Sequence, residues 1–446
     1  MMTCCACLWL GLFPLLQFGT YSAITSDKWG IMLMLAVLTP AGILFARPEN
    51  RRTAAPSSVR LPVIIALLLA GWILVSCLAS PYTYREWVIG ASSRREGLLT
   101  QLCYLGLFFM FASVRVRRRP VLFSAAAGTA VFFLVVMLQR AGINVFGLYP
   151  GGLSYARARE FQGTIGNIDM DTGYLCLMAA LFLTEITYAL PRVPAFRGKA
   201  RLLPLGYLLF LCLALGLAVF LIVTMDVQFG LLTLLALGVI TLLRFVPPRL
   251  RHPLLAILLV LALILVWFWP GEAGGAWELK EILHGRAQLS FGSNRLGVWL
   301  FSLQLAPHQW IAGSGPDTFV KSFNGFLAEN GLSLPDRQGN IPLQAFFDNP
   351  HNEYIAHLIN HGLPAMLLFI ALILSAVFFR RRRSGSHIKK AALREDRFRA
   401  LSPWAAAVLC YAVQAFFSFS VCLVAPMFWV VLGICVRGDD ADPYPA

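Results

Sequence analysis

The chain has 446 residues, 58% of them apolar and 13% charged, with a mean hydropathy of +0.70. That apolar fraction is more than a soluble domain can bury, so the composition points to a polytopic membrane protein. The formal charge of +15 lies in basic blocks between apolar runs, which speaks for membrane topology and against nucleic-acid binding.

A bilayer core takes about 20 apolar residues as helix. Runs of this kind lie near 4–19, 29–46, 61–80, 98–114, 120–139, 168–190, 202–223, 227–243, 254–270, 363–379, 402–419 and 421–436, so twelve spans are expected, the 7/8 and 11/12 connections being very short. The first run lacks a basic n-region and a second follows almost at once, so no cleavable signal is expected. The ten cysteines lie within or beside apolar runs and define no disulfide framework. The cluster Cys4-Cys5-x-Cys7 reads as small apolar filler rather than as a lipidation or metal site.

Charge sets the orientation. With the N-terminus inside, the inside loops hold four basic residues in Arg47–Arg60, four in Arg115–Arg119, four in Arg192–Arg201, three in Arg244–Arg251 and nine in Arg380–Arg399. With Arg437 these make 25 of the 37 Lys and Arg, which places both termini in the cytoplasm, with 437–446 as a disordered tail. The outside loops are then 81–97, 140–167 and 271–362. In the longest, Trp277, Leu279, Ile282 and Leu283 predict a helix lying on the membrane surface. Ser293 is expected to cap a second helix through Leu305, stopped by Pro307. Phe319, Phe323, Phe326 and Leu327 predict a third, ending at Asn330-Gly331. The loop therefore reads as a small helical cap over a single transmembrane domain, 1–436.

Within the spans Glu185 is the clear ionisable residue, a functional candidate by default. It sits near the cytoplasmic end and Arg192, where a snorkelled or paired acid suffices. A coupled transporter calls for more such groups at mid-membrane. On the outer side stand Arg94-Arg95-Glu96-Gly97, then Arg157, Arg159 and Glu160, and then Arg295. Arginine's planar fork suits a diphosphate, and pairing with a nearby acid is the competing account of each. Asp169-Met-Asp171 has the form of a metal-binding DxD. On a helix, however, residues two apart point about 200° apart, and acids favouring a helix N-terminus are the simpler account.

The densest polar stretch is FDNPHNEYIAHLINHGLPA, from Phe347 to Ala365. It holds His351, His357 and His361 with Glu353, Asp348, Asn349, Asn352 and Asn360. His357 and His361 share a helix face at a spacing that can hold zinc, but the HExxH order is missing. A structural role with ring tips at the lipid interface is expected for them. His351 follows Pro350 at the head of a helix, where an imidazole can accept a proton from a hydroxyl.

Asp348-Asn-Pro-His351-Asn352-Glu353-Tyr354-Ile355 with Gly362 resembles the "HNxYL…G" signature of the O-antigen ligase and polymerase superfamily. Further blocks similar to that family follow its order. They are Arg95-Glu96-Gly97-Leu98, Arg159 with Gly163-Thr164-Ile165-Gly166-Asn167, Arg295 with Trp299 and Gly313-x-Gly315-Pro316, and Phe417-Ser418-Phe419 through Phe428-Trp429 and Gly433. The resemblance covers about residues 80 to 435, with a ligase-related core over 202–379. It implies an all-α membrane glycosyltransferase of the GT-C-like class in the bacterial cytoplasmic membrane, with the long loop between helices 9 and 10 outside. Such an enzyme passes a glycan from undecaprenyl diphosphate to a hydroxyl of a glycan, lipid or protein acceptor. It does so with inversion and without metal or other cofactor. Carried over by position, His351 is the base and Arg159 and Arg295 hold the diphosphate. Arg95, Asn167, Asp348, Asn352 and Tyr354 support them. The family often has GNPN where this chain has Gly166-Asn167-Ile168-Asp169, and many ligases have an acid where Asn360 stands. These departures bear on substrate identity, and ligase and polymerase both stay open. A transporter or flippase of lipid-linked sugars is the alternative from another class, and an intramembrane metalloprotease is a third.

Overall fold

The computed structural model describes residues 1–44, 57–152, 163–195, 202–334, 347–378 and 401–438. Among them every regular element is helical. The N-terminal part runs α1 (Met2–Cys7, continuing as a π-turn to Leu12), α2 (Ile24–Leu44), α3 (Ser57–Ala79), α4 (Tyr84–Ile89), α5 (Leu98–Ser113) and α6 (Arg118–Arg140). It continues as α7 (Ile168–Ala189), α8 (Leu202–Met225), α9 (Gln228–Phe245) and α10 (Pro248–Trp267). The cap contributes α11 (Gly275–Leu283), α12 (Arg295–Leu305) and α13 (Phe319–Glu329), and α14 (Glu353–Phe378), α15 (Pro403–Gln414) and α16 (Ala425–Arg437) close the chain.

Seven helical segments are long and apolar enough to cross a membrane: Val59–Ala79, Arg118–Arg140, Ile168–Val193, Leu202–Met225, Gln228–Phe245, Pro248–Trp267 and Glu353–Phe378. Met2–Leu15, Leu98–Ser113, Pro403–Gln414 and Ala425–Arg437 are shorter apolar helices. The chain is thus a polytopic, all-helical membrane protein.

Packing sorts these helices by position. Every residue of α16 is buried, and α16 packs against α5, α14 and α15. Helix α7, buried along most of its length, packs on α6, α8, α9 and α15. A helix apolar on all sides belongs either in a bundle core or in lipid. Helices α16 and α7 take the first place. Helix α10 takes the second, with Ile257, Leu259, Val260 and Leu265 exposed and Arg251 its single buried residue.

The cap has its own core. Val298, Phe301 and Leu305 of α12 and Phe319, Phe323 and Leu327 of α13 bury together with Leu358 and Ile359 of α14. The apolar face of α11 is exposed at Leu279, Ile282 and Leu283. The third cap helix stops at Asn330 as expected. The second differs in its cap: Ser293 and Asn294 are both left-handed (φ 58° and 69°), so Asn294 rather than Ser293 occupies the N-cap position of α12.

Further findings refine these expectations. The span expected from residue 363 is the second part of one helix that begins at Glu353 and is broken at Gly362 (φ 81°, ψ 171°). His357 and His361 are buried rather than placed at a lipid interface; His357 lies 4.4 Å from the Phe369 ring. Glu185 pairs with Arg118 of α6 at 3.3 Å, both side chains being buried, while Arg192 stacks on Tyr188 at 3.8 Å. The basic loop Arg380–Arg399 and the tail from 439 lie outside the described residues.

Candidate active site

The break in α14 shapes the site. At Gly362 a β-carbon would lie 2.0 Å from the Ile311 carbonyl oxygen, and at Gly313 (φ 71°) it would meet the Asn360 backbone at 2.4 Å. Only glycine combines these contacts with a left-handed backbone. The carbonyls freed by the break find donors elsewhere. Ser314 N–H bonds to Ile359 O (2.9 Å), Gly315 N–H to Asn360 O (2.8 Å), Ser76 Oγ to Asn360 O (2.8 Å) and Trp72 Nε1 to His361 O (3.1 Å). The cap loop at 310–315 is thereby fastened to both α14 and α3.

Upstream of α14 the chain makes a tight polar turn. His351 is left-handed (φ 47°), a conformation that costs energy and that surrounding contacts must hold. Asn349 does so: its Oδ1 accepts from His351 N–H at 2.8 Å, and its Nδ2 donates to Asp348 Oδ1 at 2.6 Å. Trp299 of α12 donates Nε1–H to Pro350 O at 2.7 Å. Asn352 accepts from Ile355 N–H at 3.0 Å, satisfying an orphan donor of the first helical turn. Glu353 N–H bonds to Ala415 O and Tyr354 Oη to Ala412 O, both fixing α14 to the end of α15. The Glu353 carboxylate accepts from Tyr411 Oη at 2.8 Å.

The His351 ring lies edge-on to Phe419, 5.1 Å between centroids. Burial, reinforced by the nearby Arg295 and Arg94 guanidinium groups, pushes its pKa down to about 4. At neutral pH it is therefore uncharged and able to accept a proton.

Arg295 opens α12 and faces Asp169, the closest nitrogen–oxygen approach being 3.8 Å with both side chains 25% exposed. That pair is too long for a hydrogen bond, so the guanidinium keeps donors for an anion. Asn167 caps α7, its Oδ1 accepting from Asp169 N–H (2.9 Å) and Met170 N–H (3.3 Å). Asp171 lies fully buried and accepts no hydrogen bond, so Asp169 and Asp171 occupy different environments. Among the described residues no three His, Cys, Asp or Glu side chains gather as a metal site.

Arg94 is buried against Asp317. Its Nε donates to Asp317 Oδ1 at 3.1 Å and a terminal nitrogen donates to the same oxygen. Asp317 Oδ2 accepts from Ala91 N–H (2.7 Å) and Glu96 N–H (3.1 Å). One carboxylate thus joins the 90–97 turn to the cap. Next to it, burial pushes the Glu96 carboxyl up to about 8, although Tyr104 Oη donates to it at 2.6 Å.

A cavity of about 500 Å³ lies beside this constellation, with Arg94, Asn167, Asp348 and Phe419 in its wall. Of the residues singled out from the sequence, Asn167 and Asp348 line it, and His351 adjoins it through Phe419. Neither Arg295 nor its partner Asp169 is in the wall. Asn352 and Tyr354 hold the following helix, and Arg95 lies over Trp29, 5.5 Å from its ring. Arg159 lies outside the described residues. Asp317, Tyr21 and Tyr149 were not foreseen, and Arg94 was named only as one of the outer arginines. Arg94 stood next to a chosen arginine, but Asp317 had no signal beyond following Gly315-Pro316.

A family model described as O-antigen ligase matches residues 212–370, from mid-α8 through the cap into α14. No curated protein matches the chain. The matched segment contains His351, Arg295, Trp299, Gly313 of the cap loop and Gly362 at the break in α14. Over residues 212–370 the chain is thus similar to the O-antigen ligase family.

Proposed function

We propose that the protein transfers a glycan from a polyprenyl diphosphate, undecaprenyl diphosphate in a bacterial membrane, to an acceptor hydroxyl. Twelve spans with both termini inside put the cap and the His351 turn on the outer face of the cytoplasmic membrane. The observation that carries the reading is the His351 turn itself. An uncharged imidazole is held in a left-handed turn beside Arg295, whose hydrogen-bonding capacity is open.

His351 takes the acceptor hydroxyl's proton as that oxygen bonds to the anomeric carbon. The bond from that carbon to the diphosphate breaks on the opposite face, which inverts the centre. The diphosphate leaves with its own negative charge, so the guanidinium group of Arg295, joined by Arg159 as the resemblance implies, stabilises it without a metal ion. Donor binding also prepares the base. Diphosphate beside Arg295 offsets the positive field that depresses His351, so proton affinity rises once the donor is in place.

His351→Ala tests the reading, with surface glycan and its lipid-linked precursor followed in cells. Transfer should fail and precursor accumulate at unchanged protein level; normal glycan would remove His351 from the chemistry. With purified protein and a synthetic polyprenyl-diphosphate sugar, release of polyprenyl diphosphate separates an enzyme from a flippase. The residue that hinted at transport, Glu185, is engaged by Arg118.

A further inference from the structure

We propose that the cavity beside His351 is a subsite for a neutral sugar ring, an inference that rests on the transfer function above. Its volume of about 500 Å³ lies within the ~300–1,000 Å³ usual for small-molecule sites. Tyr21, Tyr149 and Phe419 line it, and the two tyrosine rings lie 4.4 Å apart as one tilted aromatic wall. The rest of the lining includes the hydroxyls of Ser22, Thr25 and Ser93, the Asn167 amide and the Asp348 carboxylate. A pyranose has the matching duality, with an apolar C–H face and an edge of hydroxyls that both donate and accept. Aromatic faces cover the first, and hydroxyl, amide and carboxylate groups answer the second.

Charge and polarity rule against the other occupants at hand. Arg94 is the one cation among the described lining residues, and Asp317 already neutralises it. Asp348 adds negative charge. A diphosphate is therefore better served at Arg295 than here. A polyprenyl tail would strip the hydroxyls, amide and carboxylate of water and offer no partner in return. A neutral polyol meets neither objection.

The position joins the cavity to the reaction. Phe419 is shared with the His351 ring, and Asn349 bridges Asp348 to the His351 backbone. Asn167 stands two residues from Asp169, the partner of Arg295. A ring seated here meets Phe419 and Asp348, which lead to the His351 turn, and Asn167, which caps the helix that carries Asp169. It is either the donor's first sugar or the acceptor's terminal one.

Ser93 is exposed, lines the cavity and lies outside the machinery described above, so Ser93→Trp fills the space, with Ser93→Ala as its control. Ser22→Trp fills it from another wall should Ser93→Trp fail to accumulate. Occupancy is read on the full-length protein in detergent by saturation-transfer NMR with free hexoses and N-acetylhexosamines. Turnover is read with synthetic undecaprenyl-diphosphate-linked N-acetylglucosamine and, in cells, with surface glycan. The filling variants should abolish the NMR signal and lower surface glycan at least tenfold. A tenfold rise in KM for release of undecaprenyl diphosphate assigns the ring to the donor; unchanged release with lost transfer assigns it to the acceptor. If wild-type protein binds sugar in this cavity but releases no diphosphate, the transfer function fails and the subsite stands. No sugar signal sensitive to filling, together with turnover within twofold of wild type, overturns the proposal.

Discussion

Asp317→Ala should undock the cap from the 90–97 turn. Asp317 is 5% exposed and accepts four hydrogen bonds, two from Arg94 and one each from the Ala91 and Glu96 amides. Truncation leaves the Arg94 charge buried and unpaired and strands two amide donors. Removing one partner of a buried ion pair costs about 3–5 kcal/mol, and each orphaned buried donor adds about 1–3 kcal/mol where water cannot reach it. The turn lies outside the spans and rehydrates on opening, so the sum is limited to about 3–5 kcal/mol. Such a loss exceeds what local docking of a loop withstands. Limited proteolysis of detergent-purified protein should therefore cut the variant within 81–97 or 310–318 far faster than wild type. The melting temperature should fall as well. Arg94→Met combined with Asp317→Leu removes both charges and should recover much of that loss, because the desolvation of the pair goes with it. Wild-type cleavage kinetics and melting in Asp317→Ala would refute the argument.

Three other outcomes follow from the same geometry. Because the pKa of His351 is held down to about 4 by burial, Arg295 and Arg94, the acid limb of kcat/KM should lie well below the usual histidine range. Arg295→Gln should move it upward; a wild-type limb near an ordinary 6.5, unmoved by that change, contradicts the assignment. Glu96, pushed from 4.5 up to about 8 by burial, favours the fold when protonated. Its contribution is full below 4.5 and is lost as pH rises through about 8. Glu96→Gln should accordingly keep more of its thermal stability than wild type between about pH 7 and pH 9, read from melting curves; parallel curves would show that Glu96 does not titrate there. Gly362→Ala places a β-carbon 2.0 Å from Ile311 O at a φ of 81°. It should cost about 1–3 kcal/mol in backbone strain before the clash is counted, seen as reduced accumulation and a lower melting temperature.

The parts of this molecule that were legible in the sequence are those written in local periodicity. Apolar runs located the helices, and the spacing of Leu279, Ile282 and Leu283, then of Phe319, Phe323 and Phe326, located two cap helices within a residue or two. The polar turn at His351 was legible for the same reason, since a Pro-His-Asn sequence ahead of an apolar run announces a turn and a cap. The break at Gly362 was not, although the glycine was noted. Hydropathy marks where a helix is apolar, and the segment 353–361 is too polar to register as a span although its carbonyls find partners in the 310–315 loop and α3. Arg94 shows the limit most plainly. Its neighbour Arg95 carried the family resemblance, yet Arg94 lines the cavity, and the residue that aims it is Asp317, 223 positions away. Pairing at that separation leaves no trace in one chain's spacing. The aromatic wall of Tyr21 and Tyr149 is hidden in the same way. Each ring lies in a connection whose composition announces nothing, and they are neighbours because Tyr21 N–H bonds to Leu148 O at 3.1 Å across more than a hundred positions. Chemistry carried by one turn can therefore be read from a sequence, whereas the walls that decide what that turn acts upon are assembled from distant segments.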